Sequence, residues 1–310
     1  MKPTAILLMG PTASGKTDFA ISLCKRFPCD IISVDSALVY RGMDIGTAKP
    51  DIETLRRVSH RLIDIRDPEE SYSVGDFVRD ARVEMADILA RGRIPLLVGG
   101  TMMYFRALTQ GIAELPGANP ATRREIDAIA ADKGWPAVHA ELQAVDPIAA
   151  ARINPNDSQR LQRALEVYRL SGKTLTQWQE EAQTPSDDVI YVKVALQIEP
   201  RKLLHERIAL RLDQMVENGF IDELRRLRER PGLTQKSSSM RSVGYRQFWD
   251  FLEDRCTLDQ AKDKALFATR QLAKRQFTWL RSEESVFAVN PLEAGAIDTI
   301  SKHLTQHLGS

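Results

Sequence analysis

Short apolar runs alternate with longer amphipathic stretches along much of the chain. The runs are typical of strands that are buried on both faces of a parallel sheet, and they occupy residues 5–9, 31–34, 62–65 and 96–98. One of the intervening stretches begins after Ser73, whose spacing to Asp76 matches a capping box, and ends near Gly92. The alternation predicts an α/β fold with a mostly parallel sheet.

The alternation stops between residue 111 and about residue 185. Five prolines punctuate short helical patterns there, and no run in this stretch resembles a strand. A strand pattern returns at 189–198, and helical patterns follow at 201–230, 242–254 and 258–281. We therefore predict a core formed by residues 1–111 and 191–310, interrupted by an all-helical insertion at 112–190.

Composition indicates a soluble globular protein and gives no global sign of a nucleic-acid partner. The 310 residues include 43 basic and 42 acidic side chains, a formal net charge of +1. The balance is uneven, because residues 112–195 hold nine basic and twelve acidic side chains, whereas residues 270–281 hold four basic and no acidic ones. The sequence shows no signal peptide, membrane span, disulfide framework or zinc site, so we expect a cytoplasmic protein.

The strongest chemical signal is the run from Gly10 to Thr17, which fits G-x-x-x-x-G-K-[ST] between a strand and a helix. In such a loop the backbone N–H groups converge on phosphate oxygens, Lys16 adds a cation and Thr17 holds Mg²⁺. A kinase, an NTPase and an enzyme that displaces diphosphate all remain open. The other residues of the predicted phosphate site are Pro11, Thr12, Ala13, Ser14 and Gly15.

Two polar residues follow predicted strands at the edge where ligands of open α/β sheets bind. Asp35 follows the second strand and could act as a magnesium ligand, as a general base or as the cap of the following turn. Thr101 follows Gly99-Gly100. It could donate a hydrogen bond to a phosphate or to a substrate base, or it could be the N-cap of a helix that starts at Met102.

Basic helical faces are a weaker signal. Arg207 and Arg211 lie one turn apart and could reach a departing diphosphate or form surface ion pairs. The helix that starts after Asp157 could bind RNA or simply be solvated. Residues 270–281 carry basic groups near one helical face with aromatic residues between them. Such a face could bind an RNA phosphate backbone, bind a diphosphate or simply be exposed to solvent.

Seven motifs, in order, resemble the family of tRNA dimethylallyltransferases, also called tRNA isopentenyltransferases. They are Gly10–Thr17, the run 35–50 (DSALVYRGMDIGTAKP), 60–64 (HRLID), 99–104 (GGTMMY), 156–166 (NDSQRLQRALE), 244–247 (GYRQ) and 270–281 (RQLAKRQFTWLR). The resemblance implies a P-loop NTPase-like core with the helical insertion gripping the tRNA anticodon arm. It further implies transfer of a dimethylallyl group from dimethylallyl diphosphate to the N6 amine of the adenosine immediately 3′ of the anticodon.

The resemblance also implies roles for individual residues. The P-loop would hold the donor's diphosphate with Mg²⁺, Arg211 would neutralise the leaving group, Asp35 would be the general base and Thr101 would hydrogen-bond the target base or the bridging oxygen. The implied tRNA contacts are Asp35, Ser36, Ala37, Leu38, Thr101, Arg123, Gln159, Arg160, Leu161, Gln162, Arg163, Arg246, Lys274 and Arg275.

The chain departs from the family pattern in two places. Leu38 stands where the family often has glutamine, which puts a hydrogen bond from that position in doubt. The cysteines could not build the zinc finger of eukaryotic relatives, so we expect the shorter bacterial type, acting as a monomer. Two rival hypotheses remain on the residues alone, a P-loop kinase of small molecules and an RNA-binding module without turnover.

Overall fold

The computed structural model describes residues 2–113, 115–181 and 189–308. The chain divides into two compact units, one formed by Met1–Thr109 with Asp187–Ser310 and the other by Gln110–Ser186. The sequence places the insertion at 112–190, and the part of that prediction at 182–188 lies outside the described residues. Residue 190 belongs to the sheet, because a strand begins there.

The first unit is built on one six-stranded sheet in which every pairing is parallel, as the α/β prediction requires. The strands lie in the order β3-β2-β4-β1-β5-β6. They are β1 (Thr4–Met9), β2 (Cys29–Val34), β3 (His60–Arg61), β4 (Ile94–Gly99), β5 (Ile190–Leu196) and β6 (Val286–Val289).

Helices cover the sheet and make up the insertion. In chain order they are α1 (Lys16–Cys24), α2 (Ile52–Arg57), α3 (Val74–Ala90), α4 (Met102–Gln110), α5 (Pro120–Lys133), α6 (Trp135–Val145), α7 (Pro147–Arg152), α8 (Ser158–Ser171), α9 (Leu175–Glu181), α10 (Arg201–Glu217), α11 (Phe220–Arg228), α12 (Tyr245–Leu252), α13 (Leu258–Ser282) and α14 (Ala296–Leu308). A 3₁₀ helix, Ser239–Arg241, precedes α12. The predicted capping box of α3 is confirmed, because the Asp76 N–H donates to Ser73 Oγ at 3.1 Å and the Ser73 N–H donates to Asp76 Oδ2 at 3.0 Å.

Two predicted elements are wrong in detail. The strand expected at 62–65 is instead the two-residue β3, because Leu62 and Asp64 have positive φ angles of 61° and 55° that end the extended backbone. The single helix expected at 201–230 is broken at Gly219, whose φ of 94° starts a new helix, α11.

Each unit has its own hydrophobic core. In the first unit, apolar side chains of β1, β2, β4 and β5 pack against α1 and α14, so the strands are buried as their sequence predicts. In the second, α5, α6, α7 and α8 pack around Ile126, Val138, Leu142 and Leu161. Within the described ranges, no helix combines the length and apolar character that crossing a bilayer needs.

Candidate active site

The register of the sheet brings the predicted site residues together. Val34 at the end of β2 pairs with Gly99 at the end of β4, and Gly99 pairs with Met9 at the end of β1. Parallel strands end at one edge of a sheet, so the segments that follow these three strands meet there. A Cβ at Gly99 would lie 2.0 Å from the Val34 carbonyl oxygen, which explains why this position needs glycine.

The P-loop forms the first side of the site. Gly15, with a φ of 86°, is the N-cap of α1 and provides no side-chain cap, so the first N–H groups of the helix are free of a capping side chain. Free N–H groups and the positive end of the helix dipole favour an anion at this position. Ser14 Oγ is buried without a hydrogen-bond partner among the described residues.

Lys16 adds a cation whose pKa is shifted by its surroundings. Its Nζ donates to the Pro11 carbonyl oxygen at 2.7 Å. Burial lowers the pKa of Lys16 to about 8, an effect that the negative charge of Asp35 opposes and the positive charge of Arg211 reinforces. The three charged groups therefore act on one another across a single site.

Asp35 lies just after the end of β2, and hydrogen bonds within its own turn hold its side chain in place. Its Oδ1 accepts hydrogen bonds from the N–H groups of Ala37 at 2.8 Å and Leu38 at 3.3 Å. The predicted turn cap is thus real, but it uses one oxygen only, and Oδ2 accepts no hydrogen bond from the described part of the chain. That second oxygen is available to take a proton or bind a ligand.

Thr101 faces the Asp35 turn. Its Oγ1 accepts a hydrogen bond from the Ser36 N–H at 3.1 Å, whereas the N–H groups of Tyr104 and Phe105 donate to its carbonyl oxygen. The predicted side-chain cap of α4 is therefore absent among these contacts. Because the hydroxyl oxygen already accepts from Ser36, the hydroxyl proton can be donated to a ligand.

Arg207 and Arg211 on α10 bind backbone carbonyl groups in the described structure. Arg207 Nε donates to the Ala13 carbonyl oxygen at 2.9 Å and so supports the P-loop. Arg211 Nη2 donates to the Thr47 carbonyl oxygen at 3.3 Å. Burial lowers the pKa of Arg211, while the charge of Asp35 raises it, and the guanidinium remains cationic.

Asp35, Thr101 and Arg211 line a cavity of about 500 Å³ in the first unit, together with Thr12 and Ala13 of the P-loop. Its lining includes polar side chains, those of Asp35, Thr101, Arg211, Arg241, Arg275 and Gln276. It also includes many apolar side chains, those of Met102, Met103, Ile208, Leu212, Met215, Phe220, Val243, Leu272 and Trp279. The cavity can thus hold a molecule with an anionic end and a hydrocarbon end.

Gln276 is a site residue that the sequence alone does not mark as functional. From α13, its Oε1 accepts a hydrogen bond from the Thr12 N–H at 2.9 Å and its Nε2 donates to the Gly100 carbonyl oxygen at 2.8 Å. It therefore ties the P-loop to the loop after β4. Its only signal in the sequence is its place in the motif 270–281, whose most prominent side chains are basic.

Comparison with known proteins decides the family. Residues 38–283 match the IPP transferase family and residues 3–72 match the isopentenyl transferase family. The chain belongs to the IPP transferase family.

Solved structures of relatives agree over almost the whole chain. The tRNA isopentenylpyrophosphate transferase of Bacillus halodurans is 38% identical, with 99% of this chain and 97% of that chain covered and a TM-score of 0.73. The tRNA delta(2)-isopentenylpyrophosphate transferase of Staphylococcus epidermidis is 30% identical, with 98% and 100% covered and a TM-score of 0.69. A eukaryotic dimethylallyltransferase acting on tRNA is 25% identical, with 98% and 78% covered and a TM-score of 0.78.

In this IPP transferase, two of the predicted tRNA contacts in the helical unit form one cluster. Arg123 Nε donates to Glu166 Oε1 at 2.8 Å and Arg163 Nη1 donates to Glu166 Oε2 at 2.7 Å. Glu166 is fully buried, and hydrogen bonds from both arginines offset its burial and lower its pKa. The arginine side chains keep 40% and 31% of their surface exposed, so both can still contact a phosphate.

One predicted contact in α8 is wrong. The Leu161 side chain has no exposed surface, because it packs in the core of the helical unit, and it cannot touch RNA. Its neighbours Gln159 and Arg160 are exposed, and Arg160 pairs with Asp157 at 2.5 Å. Gln162 Nε2 donates to Asp127 Oδ1 at 2.6 Å.

The remaining predicted tRNA contacts belong to the first unit. Ser36, Ala37 and Arg275 line the cavity beside Asp35 and Thr101. Leu38, Arg246 and Lys274 do not line it, although Arg246 and Lys274 are exposed. The basic face predicted for 270–281 therefore divides, with Arg275 directed to the cavity and Lys274 to the surrounding surface.

Thr17 and Asp35 are the residues that could hold a divalent cation. Thr17 is exposed at the start of α1, and Asp35 Oδ2 accepts no hydrogen bond from the residues that the structure describes. Among the described residues no group of three or more His, Cys, Asp and Glu side chains could hold a metal by itself. This sparse donor set fits Mg²⁺, which keeps several waters and is commonly bound through one or two protein oxygens and the substrate's phosphates.

Proposed function

We propose that this IPP transferase moves a dimethylallyl group from dimethylallyl diphosphate to the N6 amine of the adenosine immediately 3′ of the tRNA anticodon, releasing diphosphate. The observation that carries the proposal is that Asp35, Thr101 and Arg211 line one cavity together with many apolar side chains. A kinase that binds a polar metabolite would not need so many apolar side chains in its substrate site.

The donor would bind with its diphosphate at the P-loop and its hydrocarbon end against apolar side chains of the cavity. Backbone N–H groups at the start of α1, Lys16 and Arg211 would bind the diphosphate oxygens. Thr17 would hold Mg²⁺, which when bound supplies further positive charge against the diphosphate. Arg207 and Gln276 would keep the loop in shape through Ala13 and Thr12.

The acceptor adenosine would leave its stack and enter from the side of Asp35. As N6 bonds to C1 of the dimethylallyl group, the C1–O bond breaks and its electron pair leaves with the diphosphate. The N6 proton passes to the free oxygen of Asp35. Thr101 would donate its hydroxyl proton to the base or to the bridging oxygen. Because negative charge grows on the leaving group, the fixed cations around it lower the barrier.

The helical unit would bind the anticodon arm of the tRNA. Arg123 and Arg163, held by Glu166, and the exposed Gln159 and Arg160 offer groups for phosphate and base contacts. We further propose that one copy of the chain, acting in the cytoplasm, suffices for the reaction. Sedimentation of the protein with tRNA tests the copy number, with one chain expected per tRNA.

The test is incubation with Mg²⁺, labelled dimethylallyl diphosphate and unmodified tRNA that carries adenosine 3′ of the anticodon. We expect label in the tRNA, and none when that adenosine is replaced by guanosine. Folded protein that leaves the first tRNA unlabelled would contradict the proposal, and equal labelling of both tRNAs would contradict the assigned target base.

A further inference from the structure

The loop 43–50 carries a sequence motif to which the proposed chemistry gives no role, and a buried carboxylate holds it in place. Glu223 on α11 is 3% exposed. Its Oε2 accepts hydrogen bonds from the N–H groups of Asp44 at 2.9 Å and Ile45 at 2.6 Å, and its Oε1 accepts one from the Gly46 N–H at 3.1 Å. Three successive backbone donors thus converge on one side chain.

The motif 244–247, in which only Arg246 has a predicted contact, supplies the fourth donor. The Tyr245 hydroxyl donates to Glu223 Oε1 at 2.6 Å, and the tyrosine side chain is fully buried. Burial and the neighbouring Glu223 carboxylate both raise the pKa of Tyr245. The hydroxyl is therefore kept protonated and keeps donating.

Gly46 packs so closely against Phe220 of α11 and Tyr245 of α12 that a side chain at this position would not fit. A Cβ at Gly46 would lie 2.2 Å from Phe220 Cε2 and 2.7 Å from two ring atoms of Tyr245. Gly46 and Thr47 also line the cavity. The loop is thus fixed on one side by packing and by the Glu223 hydrogen bonds, and it faces the site on the other.

The same loop carries the described contact of Arg211 with a backbone oxygen. Arg211 Nη2 donates to the Thr47 carbonyl oxygen, one residue beyond the three N–H groups that Glu223 binds. Glu223 itself does not line the cavity, whereas Arg211 does. A change at Glu223 would therefore reach the site through the loop and the guanidinium.

We propose that Glu223, supported by Tyr245, is a positioning residue that fixes the 44–47 loop and thereby aims Arg211 at the diphosphate. The inference rests on the proposed function, because it assumes that a diphosphate binds beside Arg211. It assigns a common purpose to two motifs that are far apart in sequence.

Glu223→Gln tests the proposal with little change in volume. Whichever way the amide is turned, its NH₂ group faces at least one N–H donor, so that donor loses its partner. We expect the affinity for Mg²⁺ with inorganic diphosphate, measured by calorimetry on the full chain, to fall about tenfold to a hundredfold, the range for one charge-assisted hydrogen bond. tRNA affinity should stay unchanged.

A double-mutant cycle separates positioning from general loss of structure. If Glu223 acts through Arg211, then Glu223→Gln weakens diphosphate binding in the wild-type background and has no further effect in an Arg211→Ala background. Tyr245→Phe, which removes only the fourth donor and preserves packing, should weaken binding by a smaller factor with the same dependence on Arg211. This second variant answers the question if Glu223→Gln does not fold.

Asp80→Asn is the matched control. Asp80 Oδ2 accepts hydrogen bonds from the Tyr72 hydroxyl at 3.2 Å and from Arg66 at 3.3 Å, so it forms a similar carboxylate–tyrosine pair that does not line the cavity. We expect it to lower the melting temperature and leave diphosphate affinity unchanged.

The outcomes distinguish this inference from the proposed function. Wild-type protein that binds no diphosphate would overturn both. Two results would overturn the positioning role alone, provided that the wild-type protein binds diphosphate. In the first, the Glu223→Gln and Tyr245→Phe variants bind diphosphate as tightly as the wild type. In the second, these substitutions weaken binding by the same factor in the Arg211→Ala background as in the wild-type background.

Discussion

The charge of Lys16 depends on pH within an ordinary experimental range. Its pKa is lowered to about 8, so the ammonium is fully charged below about pH 7 and loses its proton as the pH rises through 8. A neutral amine cannot attract a diphosphate. The free protein should therefore lose affinity for diphosphate on the alkaline side.

Lys16→Arg provides the reference for this titration, because its guanidinium stays charged and the diphosphate's own ionisation cancels in the ratio. We expect the ratio of wild-type to variant affinity to be constant below pH 7 and to fall by up to about tenfold per pH unit above pH 8. A ratio that stays constant up to pH 10 would show that Lys16 keeps its proton.

Asp35 is expected to act in the chemical step rather than in binding. Asp35→Asn keeps a side-chain oxygen that can accept from Ala37 and Leu38, but it removes the base, so the single-turnover rate should fall by about two to four orders of magnitude. tRNA affinity should change little. Asp30→Asn, at the other end of β2 and paired with Arg91 and Arg93, is the control and should keep the wild-type rate. An unchanged rate for Asp35→Asn would remove Asp35 from the base role.

At the scale of residues, the sequence could predict the groups that have a local signature. The P-loop spacing and the position of Asp35 after a strand were sufficient to place both at the sheet edge. Gln276 and Glu223 could not be found in this way, because each acts on backbone groups more than 170 residues away in sequence. The prediction for Leu161 is wrong because a continuous motif does not show which of its residues face the core, where an apolar residue on a helix commonly lies.

At the scale of elements, the alternating pattern predicted the central strands and most helices, and it failed where backbone conformation decides. The break between α10 and α11 depends on the left-handed conformation of Gly219, which places Glu223 at the start of a separate helix. The end of β3 likewise depends on positive φ at Leu62 and Asp64, where the Asp64 carboxylate accepts from Lys49 Nζ at 2.5 Å. Neither position has a pattern of hydrophobicity that marks the change.

The basic end of α13 yields a prediction at this scale. Arg275 lines the cavity and Lys274 is exposed next to it, so both can meet RNA phosphates that surround the target base. Replacing both with alanine should reduce the slope of log affinity for tRNA against log salt by roughly one for each phosphate contact that is lost. The exposed pair Arg225 and Arg226 on α11 is the control and should leave the slope unchanged. The same slope for both double variants would indicate that α13 faces solvent.

At the scale of the whole molecule, two units with separate cores divide the proposed tasks. The proposed diphosphate site lies in the first unit, and the Arg123–Arg163 cluster lies in the second. The net charge of +1 is a sum over a helical stretch that is acidic and a remainder that is basic. Placement of charge, rather than its total, therefore matters for RNA binding.

Leu142→Ala tests this division. Leu142 is fully buried in the core of the helical unit, so the substitution should destabilise that unit by about 2–5 kcal/mol. On heating, tRNA binding should be lost at a lower temperature than in the wild type, while diphosphate binding persists. Ile300→Ala, in the core of the first unit, should lower the temperature at which diphosphate binding is lost. Simultaneous loss of both activities in Leu142→Ala would indicate that the units unfold together.

We propose that the P-loop of this chain serves prenyl transfer and not phosphoryl transfer. The most direct measurement is one reaction that contains unmodified tRNA, Mg²⁺, carbon-labelled dimethylallyl diphosphate and ATP labelled in its γ-phosphate. We predict carbon label on the adenosine 3′ of the anticodon, with the phosphorus label remaining in ATP. Phosphorus label released or transferred, with no carbon label in the tRNA, would contradict the account.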